Sequence, residues 1–447
     1  MNNISTPIVD FVKKYADSDN VRFHMPGHKG KAFLGIEKWD ITEIKGADSL
    51  FEAEGIIAQS EKNLANIFGT KASFYSTEGS SLCIRTMLYA ALKEGSAKGK
   101  RKVVAARNVH KAYVYASALL DFETVWVTGE ERCLYSCVIS PEPLEKTLSE
   151  NDDVCAVYIT SPDYLGNMSD INALSKVCRK YGVPLLVDNA HGAYLKFMNP
   201  SMHPVDLGAD MCCDSAHKTL PVLTGGAYLH VSKNCSFGFE KLVKNGMSLF
   251  ASTSPSYIIM ASLDTANRTL CDGFEECVQL CAKRVQNVKM SLLKASYGII
   301  GDEPLKLTLK TKQKGYFGFE IAKLLEDNGI QCECSDRDNV VLMFSPYNDS
   351  EDYEKIVDIL CNVETRSTIT ENEPVIEKGK YVMSPRDAIM SNSESVDVSQ
   401  AVGRVLASPS VSCPPAIPIA VCGELITERT AECFKYYGIK KIDVVTE

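Results

Sequence analysis

Residues 154–188 read "VCAVYITSPDYLGNMSDINALSKVCRKYGVPLLVD": an apolar run, a turn holding Pro and Gly, a stretch with helical periodicity, and a second apolar run ending in Asp188. A short apolar run without alternation suits a strand buried on both faces, and about a dozen helical residues fit a crossover to a parallel neighbour. Strand, crossover and strand joined this way are right-handed, with helices covering both faces of the sheet. The same alternation extends on either side. Upstream lie helical "EKNLANIFG" and "SSLCIRTMLYAALKEG", strand "KVVAAR", helical "HKAYVYASALL", strand "TVWVTG" and helical "PEPLEKTLSE"; downstream lies strand "GGAYLHV". The expectation is an α/β domain with a mainly parallel sheet, whose functional groups gather at the carboxyl ends of its strands.

Toward the N-terminus, Thr6 followed by Pro7 is a helix start, and "IVDFVKKY" carries an apolar stripe at helical spacing. "VRFHMPGHKGKAFLG" follows, where Pro26, Gly27, Gly30 and Gly35 forbid a long regular element. Beyond about residue 280 the order becomes helix ("FGFEIAKLLEDNG"), strand ("IQCEC"), strand ("NVVLMFS") and helix ("EDYEKIVDILCNV"), a smaller α+β domain. The expected division is an N-terminal helix and arm over 1–45, a large domain over 46–280 and a C-terminal α+β domain over 281–447.

Composition narrows the class. The chain has 447 residues, 45% hydrophobic and 23% charged, and a formal charge of -9 without long single-sign blocks. That leaves no basic footprint for nucleic acid or an anionic membrane. No signal-like start and no run of eighteen apolar residues occurs, so a cytoplasmic protein is expected. Of the 17 cysteines, many lie inside apolar segments such as "MCCDS", which reads as a reduced core rather than a disulfide framework. No CxxC pair occurs, so no metal is expected; Cys277 and Cys281 in "ECVQLCAKR" read as one buried helical face.

Four stretches fall where strands of the large domain should end. In "YSTEGSSLCIRTML", Gly79, Ser80 and Ser81 open a helix whose free N–H groups could seat a phosphate, although a Ser-capped helix is the commoner reason for such residues. In "RNVHKAYVYA", His110 follows a strand and could stack on a flat ligand, or be structural. In "GVPLLVDNAHGAY", Asp188 ends a buried strand and His191–Gly192 forms a tight turn; a carboxylate there is costly unless a cation meets it, its other role being a helix cap. In "DSAHKTLPVLTGGAYL", Ser215, His217 and Lys218 end another apolar run, and Gly225 and Gly226 let the next strand leave without crowding. A free lysine is less than about 0.1% neutral at pH 7, so burial in an apolar crevice is expected to make Lys218 a nucleophile. Together the four ask for a ligand with a phosphate, a flat ring with a basic nitrogen and an aldehyde, which pyridoxal 5'-phosphate provides. No GxGxxG follows a strand and no Walker A loop occurs, which disfavours Rossmann dehydrogenases and P-loop NTPases.

In order along the chain, "FHMPGHKG", "TEGSS", "NVHKA", "DNAHGAY", "DSAHKTLPVLTGGA", "STSPSYIIMASLD" and "SCPPAIPIAVCGE" resemble the motifs of the bacterial-type ornithine, lysine and arginine decarboxylases, which share the aspartate aminotransferase fold. The resemblance implies decarboxylation of a basic amino acid to a polyamine-pathway amine, arginine preferred. It implies Lys218 as the lysine that captures the aldehyde, Asp188 as partner of the ring nitrogen and His110 stacked on the ring. It also implies phosphate contacts from Ser80, Ser81, Ser215 and His217, and His191 in the cofactor site. Ser252 would reach the phosphate of a neighbouring subunit, which implies a homodimer with shared sites. The long forms carry a receiver-like domain; with its start at "TPIVDFV", the short subclass is the expectation for this chain. Asp163 stands where the family has Thr, Cys413 and Ala416 where it tends to have Tyr and Gly, and Cys422 where it has Pro. These departures lie near where the family holds the substrate side chain. Specificity for a cationic head group asks for a carboxylate; Glu424 is the candidate, with capping of the next helix as its other reading. Two competing functions remain: an aminotransferase using Arg386 to grip the α-carboxylate, and an inactive cofactor-binding homologue.

Overall fold

The computed structural model describes residues 4–127, 137–376, 379–408, 410–413 and 417–446. Helix α1 (Pro7–Ala16) opens the chain, and residues 17–55 form bends and turns with a single short 3-10 turn, as the Pro and Gly of the arm require. Then follow α2 (Ile56–Phe68), β1 (Ala72–Ser76), α3 (Gly79–Ser96), β2 (Lys102–Ala106), α4 (Lys111–Leu120), β3 (Glu123–Val127), α5 (Pro141–Ser149), β4 (Val154–Thr160), α6 (Ile171–Lys180), β5 (Leu185–Asp188), α7 (Pro204–Leu207), β6 (Met211–Asp214), α8 (Ala216–Thr219) and β7 (Ala227–Val231). After α9 (Val243–Phe250), α10 (Tyr257–Cys271) and α11 (Phe274–Lys294) the character changes. Strands β8 (Gly298–Ile300) and β9 (Lys306–Lys310), α12 (Gly318–Asp327), β10 (Cys334–Ser335), β11 (Asn339–Met343) and α13 (Ser350–Cys361) come next. The chain ends with α14 (Pro385–Met390), β12 (Ser393–Asp397), β13 (Ser410–Cys413), β14 (Ile417–Val421), α15 (Glu428–Tyr436) and β15 (Lys441–Val445).

Two compact units result: residues 1–101, 153–158 and 171–277 in the first, and 102–152, 159–170 and 278–447 in the second. In the first, neighbouring strands run in the order β1-β7-β6-β5-β4. β5 and β6 are parallel, with Asp188 opposite Cys213, and β7 returns antiparallel to both β6 and β1. Every residue of β5, β6 and β7 is buried, which is why these strands read as unbroken apolar runs. In the second unit β2 and β3 pair in parallel, β10-β11-β9-β8 form an antiparallel sheet, and β12 pairs with β15 and β13 with β14. The C-terminal core there gathers Leu406, Ile417, Ile419, Ile426, Phe434 and Val444.

Two local expectations are corrected. Thr6 stands at the start of α1 but its side chain does not cap it; the N–H groups of Ile8 and Val9 donate instead to Asp264 Oδ2, at 2.9 and 3.0 Å. The Thr6 hydroxyl turns to Asp10, 3.3 Å away. In α11 the buried face runs Phe274, Val278, Cys281, Val285, Val288, Leu292, alternating steps of four and three, so Cys277 falls one residue off the stripe and is exposed. The described cysteines are all free thiols, and Cys83, Cys155, Cys178, Cys212 and Cys213 among them are buried.

Candidate active site

Asp188 closes β5 and is buried, yet its carboxylate is well supplied with donors. Tyr158 Oη donates at 3.0 Å and the Ala190 N–H at 3.2 Å, and Cys213 Sγ lies 3.6 Å away. Burial dominates and pushes the carboxyl above its usual range, against the pull of Tyr158 and of the Lys218 charge. A cationic N–H donor brought to this carboxylate would offset the cost of its burial. Asp188 is therefore not a helix cap; the next element, after the turn closed by Gly192 N–H to Asn189 C=O at 2.8 Å, is a 3-10 segment from Ala193.

Lys218 lies in α8, the single turn after β6, and its Nζ is 3.0 Å from His191 Nε2. The sequence expectation that Lys218 is buried is not met: the residue is exposed, because one turn of helix at the end of a strand leaves its side chain at the rim. Exposure suits an amine that must meet an aldehyde from solution. His191 itself is buried, held by the turn that follows β5.

The anion seat is built by α3, which starts straight out of β1. Gly79, at φ +68°, donates its N–H to Gly225 C=O at 2.7 Å, tying the start of α3 to the segment before β7. Ser80 and Ser81 occupy the first turn of α3, and Ser215 Oγ donates to Ser80 Oγ at 2.8 Å. Gly225 has φ +96° and an added Cβ would lie 3.0 Å from Thr77 C=O, so the close approach needs glycine. His217 Nδ1 lies 2.9 Å from Gly226 C=O, which leaves Nε2 as the nitrogen that could meet an anion; burial holds the imidazole below its usual pKa. Ser252 is exposed, its N–H donating to Glu78 Oε1 at 2.7 Å. Buried carboxylate, accessible lysine and a hydroxyl-lined helix N-terminus thus occur in one unit, and this donor set fits pyridoxal 5'-phosphate.

In the second unit, His110 caps α4, its Nδ1 accepting the Ala112 N–H at 3.1 Å. Glu424 is buried and does not cap a helix: Thr427 caps α15, while Glu424 Oε2 accepts Arg107 Nη2 at 2.7 Å and the Val421 N–H at 2.9 Å. Arg107 packs over Trp126, guanidinium carbon to ring centroid 5.0 Å, and Trp126 Nε1 donates to Tyr381 Oη at 3.1 Å. Arg107 was missed by sequence reasoning; the nearest signal was an arginine ending an apolar strand, one residue past β2. Arg386 donates to Ala118 and Leu119 C=O, both at 3.3 Å, and so caps the C-terminus of α4. Asp163 is buried and spent on its own loop, accepting the N–H groups of Leu165 and Asn167 at 3.0 and 2.9 Å. Cys422 is buried, and burial pushes its thiol up to about 12. Ala416 and the side chain of Cys413 lie outside the described residues.

Comparison with known proteins gives the family. Residues 6–299 match the family model "Orn/Lys/Arg decarboxylase, major domain", and residues 370–441 match "Orn/Lys/Arg decarboxylase, C-terminal domain". The arginine decarboxylase of Bacillus subtilis (strain 168) is 29% identical over 99% of this chain and 95% of its own length. That of Halalkalibacterium halodurans is 30% identical over 95% of this chain and 91% of its own. Among solved structures, the Francisella novicida lysine decarboxylase LdcF superposes with a TM-score of 0.81 at 16% identity, covering 100% of this chain and 82% of that one. The constitutive lysine decarboxylase of Escherichia coli gives 0.79 at 17% identity over the same shares. The fold is thus that of the α/β, aspartate aminotransferase-like enzymes that depend on pyridoxal 5'-phosphate. Within that class the chain belongs to the Orn/Lys/Arg decarboxylase family, and its reaction is the decarboxylation of a basic amino acid.

Proposed function

We propose that this chain converts arginine to agmatine and carbon dioxide, with pyridoxal 5'-phosphate held by Lys218, Asp188, Ser80, Ser81, Ser215 and His217. The observation that carries the cofactor reading is the buried Asp188 carboxylate, disfavoured as an anion by burial, in the same unit as the accessible amine of Lys218. When bound, the cofactor supplies an aldehyde for amines and a ring that takes up the electron pair left by a departing carboxylate. Lys218 would hold the aldehyde and could carry a proton on its amine, and Asp188 would keep a proton at the ring nitrogen. The hydroxyls of Ser80, Ser81 and Ser215 and the first turn of α3 would bind the phosphate.

Arginine is preferred for two reasons. The two curated relatives named above are arginine decarboxylases, and Glu424 retains a buried oxygen, Oε1, with no hydrogen-bond partner among the described residues. A buried carboxylate oxygen without a donor is costly, and a guanidinium offers paired donors to such a group. Arg386 already serves the carbonyls of α4, which weighs against the grip that an aminotransferase would need.

We also propose a cytoplasmic homodimer. The arm exposes Phe23, Phe33 and Leu34 at 94%, 80% and 85%, a run of apolar surface suited to burial by a second copy. Among the described residues no helix is long and apolar enough to cross a membrane. Mass spectrometry of products from cofactor-loaded protein given arginine, lysine or ornithine tests the substrate. Agmatine is expected; cadaverine or putrescine alone would overturn the choice of arginine, and a keto acid without amine would overturn decarboxylation in favour of an aminotransferase.

A further inference from the structure

Three buried side chains that the proposed chemistry does not use converge at the end of β6. His203 Nε2 lies 3.0 Å from Asp214 Oδ2, a hydrogen-bond length, and His230 Nε2 lies 3.3 Å from the same oxygen; all three side chains are inaccessible to solvent. His230 is fixed on its far side by Ser73, 2.7 Å from its Nδ1, and by the stacked ring of Phe68, 4.4 Å between centroids. Burial works against the Asp214 charge, but the two imidazoles outweigh it and hold the carboxyl well below the usual carboxylate range. Asp214 is therefore a fixed anion with one oxygen committed to the histidines.

Its other oxygen, Oδ1, accepts the Asn189 side-chain amide at 2.7 Å. Asn189 is wholly buried and stands between Asp188 and the turn that carries His191. Its N–H donates to Cys213 C=O at 2.9 Å and its C=O accepts the Gly192 N–H at 2.8 Å. The turn is packed so closely on this amide that a Cβ on Gly192 would come within 2.1 Å of Asn189 Oδ1. Asp214 precedes Lys218 by four residues, and Asn189 precedes His191 by two. The Asn189–Asp214 bond thus joins the end of β5 that carries His191 to the end of β6 that carries Lys218.

We propose that Asn189 and Asp214 are positioning residues, which hold His191 Nε2 within hydrogen-bond reach of Lys218 Nζ and so set how readily that amine gives up its proton. The inference deepens the proposed role of Lys218 as the aldehyde-capturing lysine and rests on it. An imidazole nitrogen accepting from the ammonium favours the charged lysine, and a turn that drifts removes that acceptor. Asp188 and His217 also interact with the Lys218 charge, so the Asn189 change is read against a His191→Ala background.

The test is competitive acetylation of Lys218 in the full-length protein, without added cofactor, read by peptide mass spectrometry as a function of pH. Asn189→Ala should lower the Lys218 midpoint by about 0.5 unit or more, roughly threefold more free amine at neutral pH. In a His191→Ala background the same change should add nothing, because both remove one contact. Asn189→Ser, which keeps a small polar side chain too short to reach Asp214, serves the same cycle if the alanine variant does not fold. Folded Asn189 variants with an unchanged Lys218 midpoint, or with a shift that adds fully to that of His191→Ala, would overturn the proposal. The labelling needs neither cofactor nor turnover, so its failure is distinct from a failure to form agmatine.

Discussion

Asp188 in the first unit and Glu424 in the second are both almost fully buried carboxylates, but Asp188 sits among neutral donors whereas Glu424 holds a guanidinium at 2.7 Å. An anion left with neutral donors is disfavoured, which is why burial raises the Asp188 pKa. An anion with a cation at bonding distance has much of its burial cost offset inside the protein, and Glu424 has spent one oxygen that way. The first arrangement is the one proposed above to meet the ring nitrogen of a cofactor. The second already holds an ion pair, and its Oε1 has no hydrogen-bond partner among the described residues.

The comparison breaks at its base if Lys218 is not the partner that brings a cofactor to Asp188. Lys218→Ala should abolish the visible absorbance of the loaded protein and reduce turnover by about a thousandfold or more, about 4 kcal/mol of transition-state stabilisation. Retention of the band would place the aldehyde on another lysine. The Glu424 side is tested through Arg107. Arg107→Ala leaves a buried carboxylate without its cation and should cost about 3–5 kcal/mol in urea unfolding. A loss below about 1 kcal/mol, the level of an exposed pair, would mean that Arg107 does not balance Glu424.

Asp188→Asn sharpens the contrast from the other side. If Asp188 serves the ring nitrogen as proposed, removing its charge but not its shape should leave cofactor bound and lower kcat by about a hundredfold. Near-normal kcat would make Asp188 a structural acid like Asp163, which spends itself on its own loop.

What was legible in the sequence follows the same division. The places of Asp188, His191, Ser215 and Lys218 in the fold were legible because each lies within a few residues of a buried strand end, where local pattern fixes position. Arg107 and Glu424 are 317 residues apart, and no local pattern reports a pair closed by tertiary structure. Asp214 was passed over although it adjoins Ser215, since its meaning depends on His203 and His230 arriving from other elements. The exposure of Lys218 was misjudged because an apolar run before a residue says nothing of where one helical turn will point the side chain. The α/β alternation was legible almost throughout, with β4 falling at Val154–Thr160, the full span of its apolar run.

Asp264 is a third case, intermediate between the first two. Its carboxylate caps α1 through the Ile8 and Val9 N–H groups and accepts from Ser60, so it meets dipoles rather than a full cation. Burial prevails over these bonds and raises its pKa from 3.8 to about 6. The folded chain therefore binds a proton here more tightly than the unfolded chain does, and this group's contribution to stability is greatest below about pH 4 and is lost as pH rises through about 6. Asp264→Asn keeps an acceptor for α1 but removes the titration. Urea unfolding at pH 4, 5, 6 and 7 should show the parent losing more stability than the variant across that window, the smallest of these effects. Equal slopes would mean that the two backbone donors offset the burial of Asp264 in full, so that a helix terminus can stand in for the cation that Glu424 has in Arg107.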